Sequence, residues 1–458
     1  MNHQRCELAI LRKWRRGLRV VVVVATMASP RLSFRVVGLA LLVFLSSWNV
    51  SAQQPRFRAA AVKIDITPQD PKWLSGYQPR QSDGVLDNIY HRVVAMDSGD
   101  AQFYVISSDL CLFSPTLYDS VTAELQKATG INPQHVLWSV THTHAAPEVG
   151  PSDMYKVLLG RSDHEWDREY TVRITRALIE AVRSAREKLE PARIAFGTGV
   201  AFANINRRAR DVDGRISLGL NPDGPADRQI NLIQVERPDG SPIALVVNYA
   251  MHGTVMSGQN VKISGDAPGT VATYLEEKLG GTVLYVNGAA GNLAPIYSVY
   301  ATPQSGHLSQ FRVLLGDRVL TAVQSMGSGT SDVVIRHAER VVETPRKEEL
   351  AWPEELGSYT TVSTPPRVRL PIRFVRINDT LIWAAPVELF CEIAMDVRER
   401  SPFTSTFYFG YTNGWFGYLP TEKAFEEGGY ETRTSPFTPG VAKDLVNTVT
   451  AFIHGFRR

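Results

Sequence analysis

From Arg56 onward the chain alternates short β-rich apolar runs with amphipathic helical runs, and that alternation constrains the fold more than any other feature. The spacing predicts strands at Ala59–Ile64, Arg92–Met96, Phe103–Ser107, Val136–Val140, Arg193–Gly197 and Ile230–Glu236. Further strands are expected at Ala244–Tyr249, Val283–Val286, Val333–Val342, Arg367–Val375 and Leu381–Ala385. Helices are expected at Pro115–Thr129, Trp166–Leu189, Gly269–Leu279, Leu308–Met326, Glu388–Glu399 and Val441–Ile453. The second has the clearest apolar face, with Val172, Ile174, Ala177, Leu178, Ala181 and Val182 at helical spacing. The expected fold class is therefore α/β, with layered mixed β-sheets flanked by helices, one large domain, and the functional site on strand-end loops. Residues 343–366, with four prolines among charges, read as an exposed excursion.

The composition is that of a globular chain with a sizeable core: 458 residues, 44% hydrophobic and 21% charged. The net charge of +3 owes much to Arg5, Arg12, Lys13, Arg15, Arg16 and Arg19 near the N-terminus, so no basic surface points to nucleic acid. Arg31 and Arg35 precede the apolar run Val36–Leu45, and small residues through Ala52 precede Gln53. That order is the pattern of a cleavable export signal, so residues 1–53 are read as a targeting region and 54–458 as the mature body. The expected location is periplasmic, secreted or cell-surface, with an uncleaved membrane tether as the alternative. Of three cysteines, Cys6 leaves with the signal, and Cys111 and Cys391 are expected as buried free thiols.

The strongest chemical signal is Thr141-His142-Thr143-His144, directly after a strand. On extended backbone, residues i and i+2 point the same way, so both imidazoles can face one cavity and serve as metal ligands or as ligand and proton carrier. Either pair of roles competes with a plain hydrogen-bonded corner. His252 also follows a strand and stands beside Gly253, whereas Glu388 reads equally well as a helix-start acid favoured by the macrodipole. Tyr418, an aromatic in Asn413 to Tyr418, reads by default as packing. Gly288-Ala289-Ala290-Gly291-Asn292 can offer backbone N–H groups to an oxyanion, or simply form a tight turn. No GxSxG, HExxH or P-loop motif is present.

Together with Val62-Lys63-Ile64-Asp65-Ile66-Thr67-Pro68, Ser108-Asp109, Asn206-Arg207, Ser264-Gly265-Asp266, Gly291-Asn292-Leu293-Ala294-Pro295, Pro386-Val387-Glu388 and Asn413 to Tyr418, these segments resemble the neutral (non-lysosomal) ceramidases in shared order. The resemblance implies one zinc ion held by His142, His252, Glu388 and Tyr418, with His144 and Arg207 lining the site. It also implies cleavage of an amide bond in an N-acyl sphingosine or another amphiphilic N-acyl amide, with peripheral membrane contact. Two departures stand out. Ala294 occupies the position of the family's serine nucleophile, with Ser298 as a replacement only if the loop shifts; Arg208 stands where serine usually follows the Asn-Arg pair. The family's C-terminal immunoglobulin-like domain is also not expected here. The expected mechanism is direct attack by zinc-activated water, with His144 moving the proton and Tyr418, Arg207, Gly291 and Asn292 stabilising the oxyanion. The alternatives are a catalytically silent zinc-binding protein, or a metal-dependent esterase or phosphoesterase that recruits Asp109 and Asp266.

Overall fold

Three mixed sheets face one another in the computed structural model, which describes residues 57–151, 153–161, 164–298 and 307–457. The expected targeting region, 1–53, lies outside the described residues. The first sheet runs in the order Val136–Val140, Gln102–Ser108, Tyr90–Asp97, Arg58–Asp65 and Glu190–Pro191. The second runs Thr282–Asn287, Pro242–Tyr249, Gln229–Glu236 and Arg193–Val200. The third runs Ile335–Pro345, Arg367–Ile377, Thr380–Ala384 and Ser405–Phe409. Among the described residues no helix is long and apolar enough to cross a membrane.

Most of these strands are buried on both faces, which is why they read as apolar runs rather than alternating ones. Side-chain period two divides each strand between two cores. Val94, Met96, Phe103 and Val105 join Val246, Leu284, Ile382 and Phe407 in a core between the sheets. Val93, Ala95, Tyr104 and Ile106 turn the other way, towards Ile174, Leu178 and Val182 of the helix Arg168–Glu187. The helices Asp266–Leu279 and Asp317–Gln324 cover the second sheet, and Cys391–Glu399 and Val441–Phe456 cover the third. Burying each large apolar side chain is worth roughly 1.5–3 kcal/mol, so the shared core is what binds the three sheets into one domain.

The expected helix Pro115–Thr129 forms over those residues because its ends are chemically marked. Ser114 caps its N-terminus, Pro115 fits the first turn, and Gly130 ends it in the left-handed conformation (φ 75°). Glu388 does not open a helix. It lies in a two-residue strand paired with Tyr418–Leu419, and the helix begins only at Cys391. Nor is 343–366 a plain excursion: Leu356 is fully buried, and Trp352 stacks over Phe416 at 6.2 Å. Cys111 and Cys391 are free and buried.

His91 fastens the first sheet to its covering helix. Its Nε2 lies 3.1 Å from the Ile174 carbonyl and its Nδ1 2.6 Å from Ser108 Oγ, which also accepts from Trp138 Nε1 at 2.8 Å. These partners suit a neutral ring that donates through Nε2, and burial pushes its pKa down to about 4. Because the unfolded chain takes up this proton near pH 6.5 and the folded chain only near 4, the stabilisation is complete above 6.5 and is lost as pH falls through that window. The expected size is about 3 kcal/mol at most. Urea midpoints measured from pH 7 to 4 should fall steeply, and His91→Asn should lower stability at pH 7 while flattening the slope by about one proton.

Candidate metal centre

Parallel pairing decides where the functional side chains meet. Val136–Val140 runs parallel to Gln102–Ser108, Pro242–Tyr249 to Thr282–Asn287, and Thr380–Ala384 to Ser405–Phe409. Each pair therefore delivers two carboxyl ends to the same rim, and loops at such ends are where α/β folds bind ligands. Bridges Ser139↔Thr412 and Thr143↔Gly253 join the loops leaving the three sheets. A Cβ on residue 253 would lie 2.5 Å from the His142 carbonyl oxygen, so only glycine lets these two histidine loops touch.

His142 and His144 do converge, but not through extended backbone. His142 has φ 62°, a left-handed conformation costly for a residue with a Cβ, and it turns the ring inwards. His142 Nε2 then lies 3.2 Å from His144 Nε2 and 3.5 Å from Glu388 Oε2, which is itself 3.2 Å from His252 Nε2. All four side chains are brought together, and His142, His252 and Glu388 form a group able to hold a metal ion.

The hydrogen bonds around this group orient it. His142 Nδ1 lies 3.0 Å from the Cys111 carbonyl, and His252 Nδ1 lies 2.7 and 3.0 Å from those of Ala290 and Leu293. Carbonyls only accept, so each ring carries a proton on Nδ1 and turns its Nε2 towards the centre, where it can bind a metal ion when it bears no proton of its own. Glu388 Oε1 accepts from Trp415 Nε1 at 2.9 Å, whereas Oε2 is buried with no hydrogen-bond partner. An unpartnered buried carboxylate oxygen is costly unless a cation meets it, and two imidazole nitrogens plus this oxygen suit zinc.

The electrostatics differ between the two rings. Burial, then Arg207 and His142, depress the His252 pKa to about 3, keeping that ring neutral. Burial also disfavours charge on His142, but the Cys111 sulfur and the Glu388 carboxylate outweigh it and push its pKa up to about 10. Against the cost of burial, His142 and His252 hold Glu388 well below the usual carboxylate range. In the absence of a metal ion the charge that offsets Glu388 is thus a proton on His142, which a metal ion bound there would replace. His144 is kept neutral by burial and by its two histidine neighbours, and its Nδ1 has no partner.

Arg207 reaches the centre from the strand Asn204–Arg210, where Nη1 donates to His252 Nε2 at 2.9 Å and Nη2 has no partner. Its guanidinium lies over the Tyr418 ring, 5.4 Å from the centroid. Burial, then the Glu388 charge, raises the Tyr418 pKa well above its usual value, so its hydroxyl stays protonated. The Gly291 N–H, expected at the oxyanion, instead donates to the Leu389 carbonyl at 2.8 Å. A Cβ there would sit 2.4 Å from the Glu388 carbonyl oxygen, so this glycine serves close packing against the glutamate's strand. Asn292 ties the same loop to Glu392 and Cys391 through its side chain. Ala294 pairs with Ile205 in a short strand and brings no hydroxyl; Ser298 is exposed, with Oγ 3.4 Å from the Thr254 carbonyl.

Neither aspartate of the two-metal alternative faces this centre. Asp109 pairs with buried Arg92 at 2.7 Å, and Asp266 accepts from the backbone of Val255, Met256 and Ala267. Arg208 pairs with Glu431, which also holds Arg207 Nε at 2.9 Å. Glu431, Trp415, Tyr411 stacked on His142 at 4.2 Å, and Tyr430 at 5.7 Å from Tyr418 all belong to the site's surroundings. Glu431, Tyr411 and Tyr430 carry no local sequence signal, because each acts on a partner distant in the chain, and Trp415 is marked only as part of the Asn413 to Tyr418 segment.

Residues 59–296 match the model of the neutral/alkaline non-lysosomal ceramidase family, N-terminal region. The chain belongs to this family. It is 28% identical over 228 residues to neutral ceramidase B of Dictyostelium discoideum, covering 47% of this chain and 30% of that one. It is 29% identical over 196 residues to neutral ceramidase of Mycobacterium tuberculosis, covering 40% and 29%. The matched stretch thus spans less than a third of these curated relatives. The fold is similar to that of the neutral ceramidase from Pseudomonas aeruginosa, with a TM-score of 0.70 at 18% identity, over 88% of this chain and 74% of that one. A ceramidase complexed with C2 is equally similar, with a TM-score of 0.70 at 17% identity. The family match contains His142, His252 and Ala294, while Glu388 and Tyr418 lie beyond it and join the centre through the fold.

Asn287, fully buried at a strand end, bonds Met251 N at 3.0 Å, Met251 O at 2.8 Å and Thr141 O at 3.4 Å. It therefore clamps both histidine loops. Asn287→Leu should cost about 2–4 kcal/mol in urea unfolding, since several buried backbone groups lose their partner. It should also weaken metal binding measured on the folded fraction.

Proposed function

We propose that this protein is an exported zinc-dependent hydrolase that cleaves a linear amide bond by direct attack of water, with an N-acyl amide of amphiphilic character as its substrate. The observation that carries this reading is the convergence of His142 Nε2, His252 Nε2 and the unpartnered Glu388 Oε2 in a buried centre. His142, His252 and Glu388 would hold the ion, with Tyr418 as the fourth ligand taken from the family resemblance. Bound there, zinc supplies Lewis acidity, polarising a carbonyl and lowering the pKa of a water. Family membership supports the amide as the bond attacked.

His144 is the group that moves the proton. Its ring is neutral at ordinary pH and beside the centre, so it can accept a proton from the attacking water and return it to the leaving amine. The Arg207 guanidinium, which lies over the Tyr418 ring, and the protonated Tyr418 hydroxyl would stabilise the negative charge that develops on the carbonyl oxygen. With alanine at 294 no serine nucleophile stands at the family's position, so an acyl-enzyme at that residue has no place in this route. The export signal read in residues 1–53 supports action outside the cytoplasm, and an amphiphilic substrate supports peripheral membrane contact.

The purified mature chain should carry one zinc by elemental analysis, and both His142→Ala and His252→Ala should lose it. His144→Ala should keep the zinc yet lose roughly 100- to 10,000-fold in turnover on an N-acyl amide panel. A zinc-loaded wild type inert towards amides and esters alike would make the chain a zinc-binding family member without catalysis.

A further inference from the structure

We infer that Trp415 is a positioning residue that makes Glu388 a one-oxygen ligand, an inference that rests on the metal-centre reading above. A carboxylate can grip an ion with one oxygen or two, and hydrogen bonding of one oxygen biases the choice. Here the two oxygens differ sharply. Oε1 accepts from the indole Nε1–H of Trp415 at 2.9 Å, whereas Oε2 faces His142 and His252 and has no hydrogen-bond partner.

The indole is itself held. Trp415 is 2% exposed, and its ring packs against Tyr155 with centroids 5.3 Å apart. The Tyr155 hydroxyl lies 2.7 Å from Ser75 Oγ, and the next residues, Gly76 and Tyr77, flank His144. Phe416 N–H donates to the Pro386 carbonyl at 2.8 Å, and Glu388 N–H to that of Gly417 at 3.0 Å. The backbone around Trp415 and that around Glu388 are thus locked in register, so the indole N–H meets the carboxylate without a search through rotamers. Removing the indole N–H leaves Oε1 as a second buried oxygen without a donor. It can then swing to the ion or draw in water, and either outcome loosens a site built for one oxygen.

The test uses the mature chain, its zinc affinity measured by competition with a chromophoric chelator. Trp415→Phe should bind zinc about 10- to 100-fold more weakly than wild type, the usual effect of removing an outer partner of a metal ligand. In a Glu388→Ala background the same substitution should change affinity little, because the ligand through which Trp415 acts is gone. An equal loss in both backgrounds would make Trp415 a packing residue only and overturn the inference, as would unchanged affinity in Trp415→Phe. X-ray absorption of the zinc-loaded wild type gives an answer even if the variant does not fold. One carboxylate oxygen in the first shell is expected, and two oxygens from one carboxylate would overturn it. A wild type that binds no zinc fails differently, by removing the metal centre itself.

Discussion

One carboxylate oxygen among imidazole nitrogens organises the rest of this structure. Glu388 Oε2 sits 3.2 Å from His252 Nε2 and 3.5 Å from His142 Nε2 in a region closed to solvent. Left alone, such an oxygen is a liability of about 1–3 kcal/mol or more. It persists because each of its neighbours is bound elsewhere: both Nδ1 atoms to backbone carbonyls, Oε1 to Trp415, and the loops to one another through Asn287. The concentration of orphan atoms here, which includes His144 Nδ1 and Arg207 Nη2, is the mark of a centre organised for a guest.

The scaffold makes that cost bearable. Three sheets share one apolar core, so the rim at which their parallel strands end is held rigidly from below. Rigidity matters because His142, His252 and Glu388 come from segments separated by more than a hundred residues in sequence, and small displacements of any of them would open the centre. Strain is accepted at the same rim. His142, Tyr411 and Asn413 all adopt positive φ, each stabilised by packing or by hydrogen bonds such as that from Trp138 N to Asn413 Oδ1.

Ala294, at the position where the family resemblance implies a serine, reads differently once the surroundings are known. The segment carrying it still cradles His252, whose N–H and Nδ1 both engage the Leu293 carbonyl. The loop therefore keeps a structural duty that does not need a hydroxyl. Arg208, the other departure, is absorbed by Glu431, the same carboxylate that orients Arg207. Glu431 thus bridges two buried guanidinium groups and holds one of them at the candidate metal centre, while Glu427 meets Arg208 at 3.4 Å. Both departures leave the candidate ligands intact.

Periodicity and local caps suffice for the layered α/β class, most strands, and helices such as the one between Ser114 and Gly130. The sequence by itself also marked His142, His144 and His252, because a histidine just past an apolar strand is a short-range pattern. Glu388 was readable only through family resemblance, since its surroundings look like a helix start while its actual partner is Tyr418, thirty residues away. The strands Asn204–Arg210 and Ile216–Asn221 carry no apolar periodicity, because Asn204, Asn206, Arg207 and Arg208 are polar residues buried by partners from elsewhere. The reach of Trp415 to Glu388, the diversion of the Gly291 N–H and the left-handed turn at His142 belong to the tertiary structure alone. Local propensity and periodicity act over a few residues, whereas a buried hydrogen bond is decided by which distant groups the packed core brings within 3 Å.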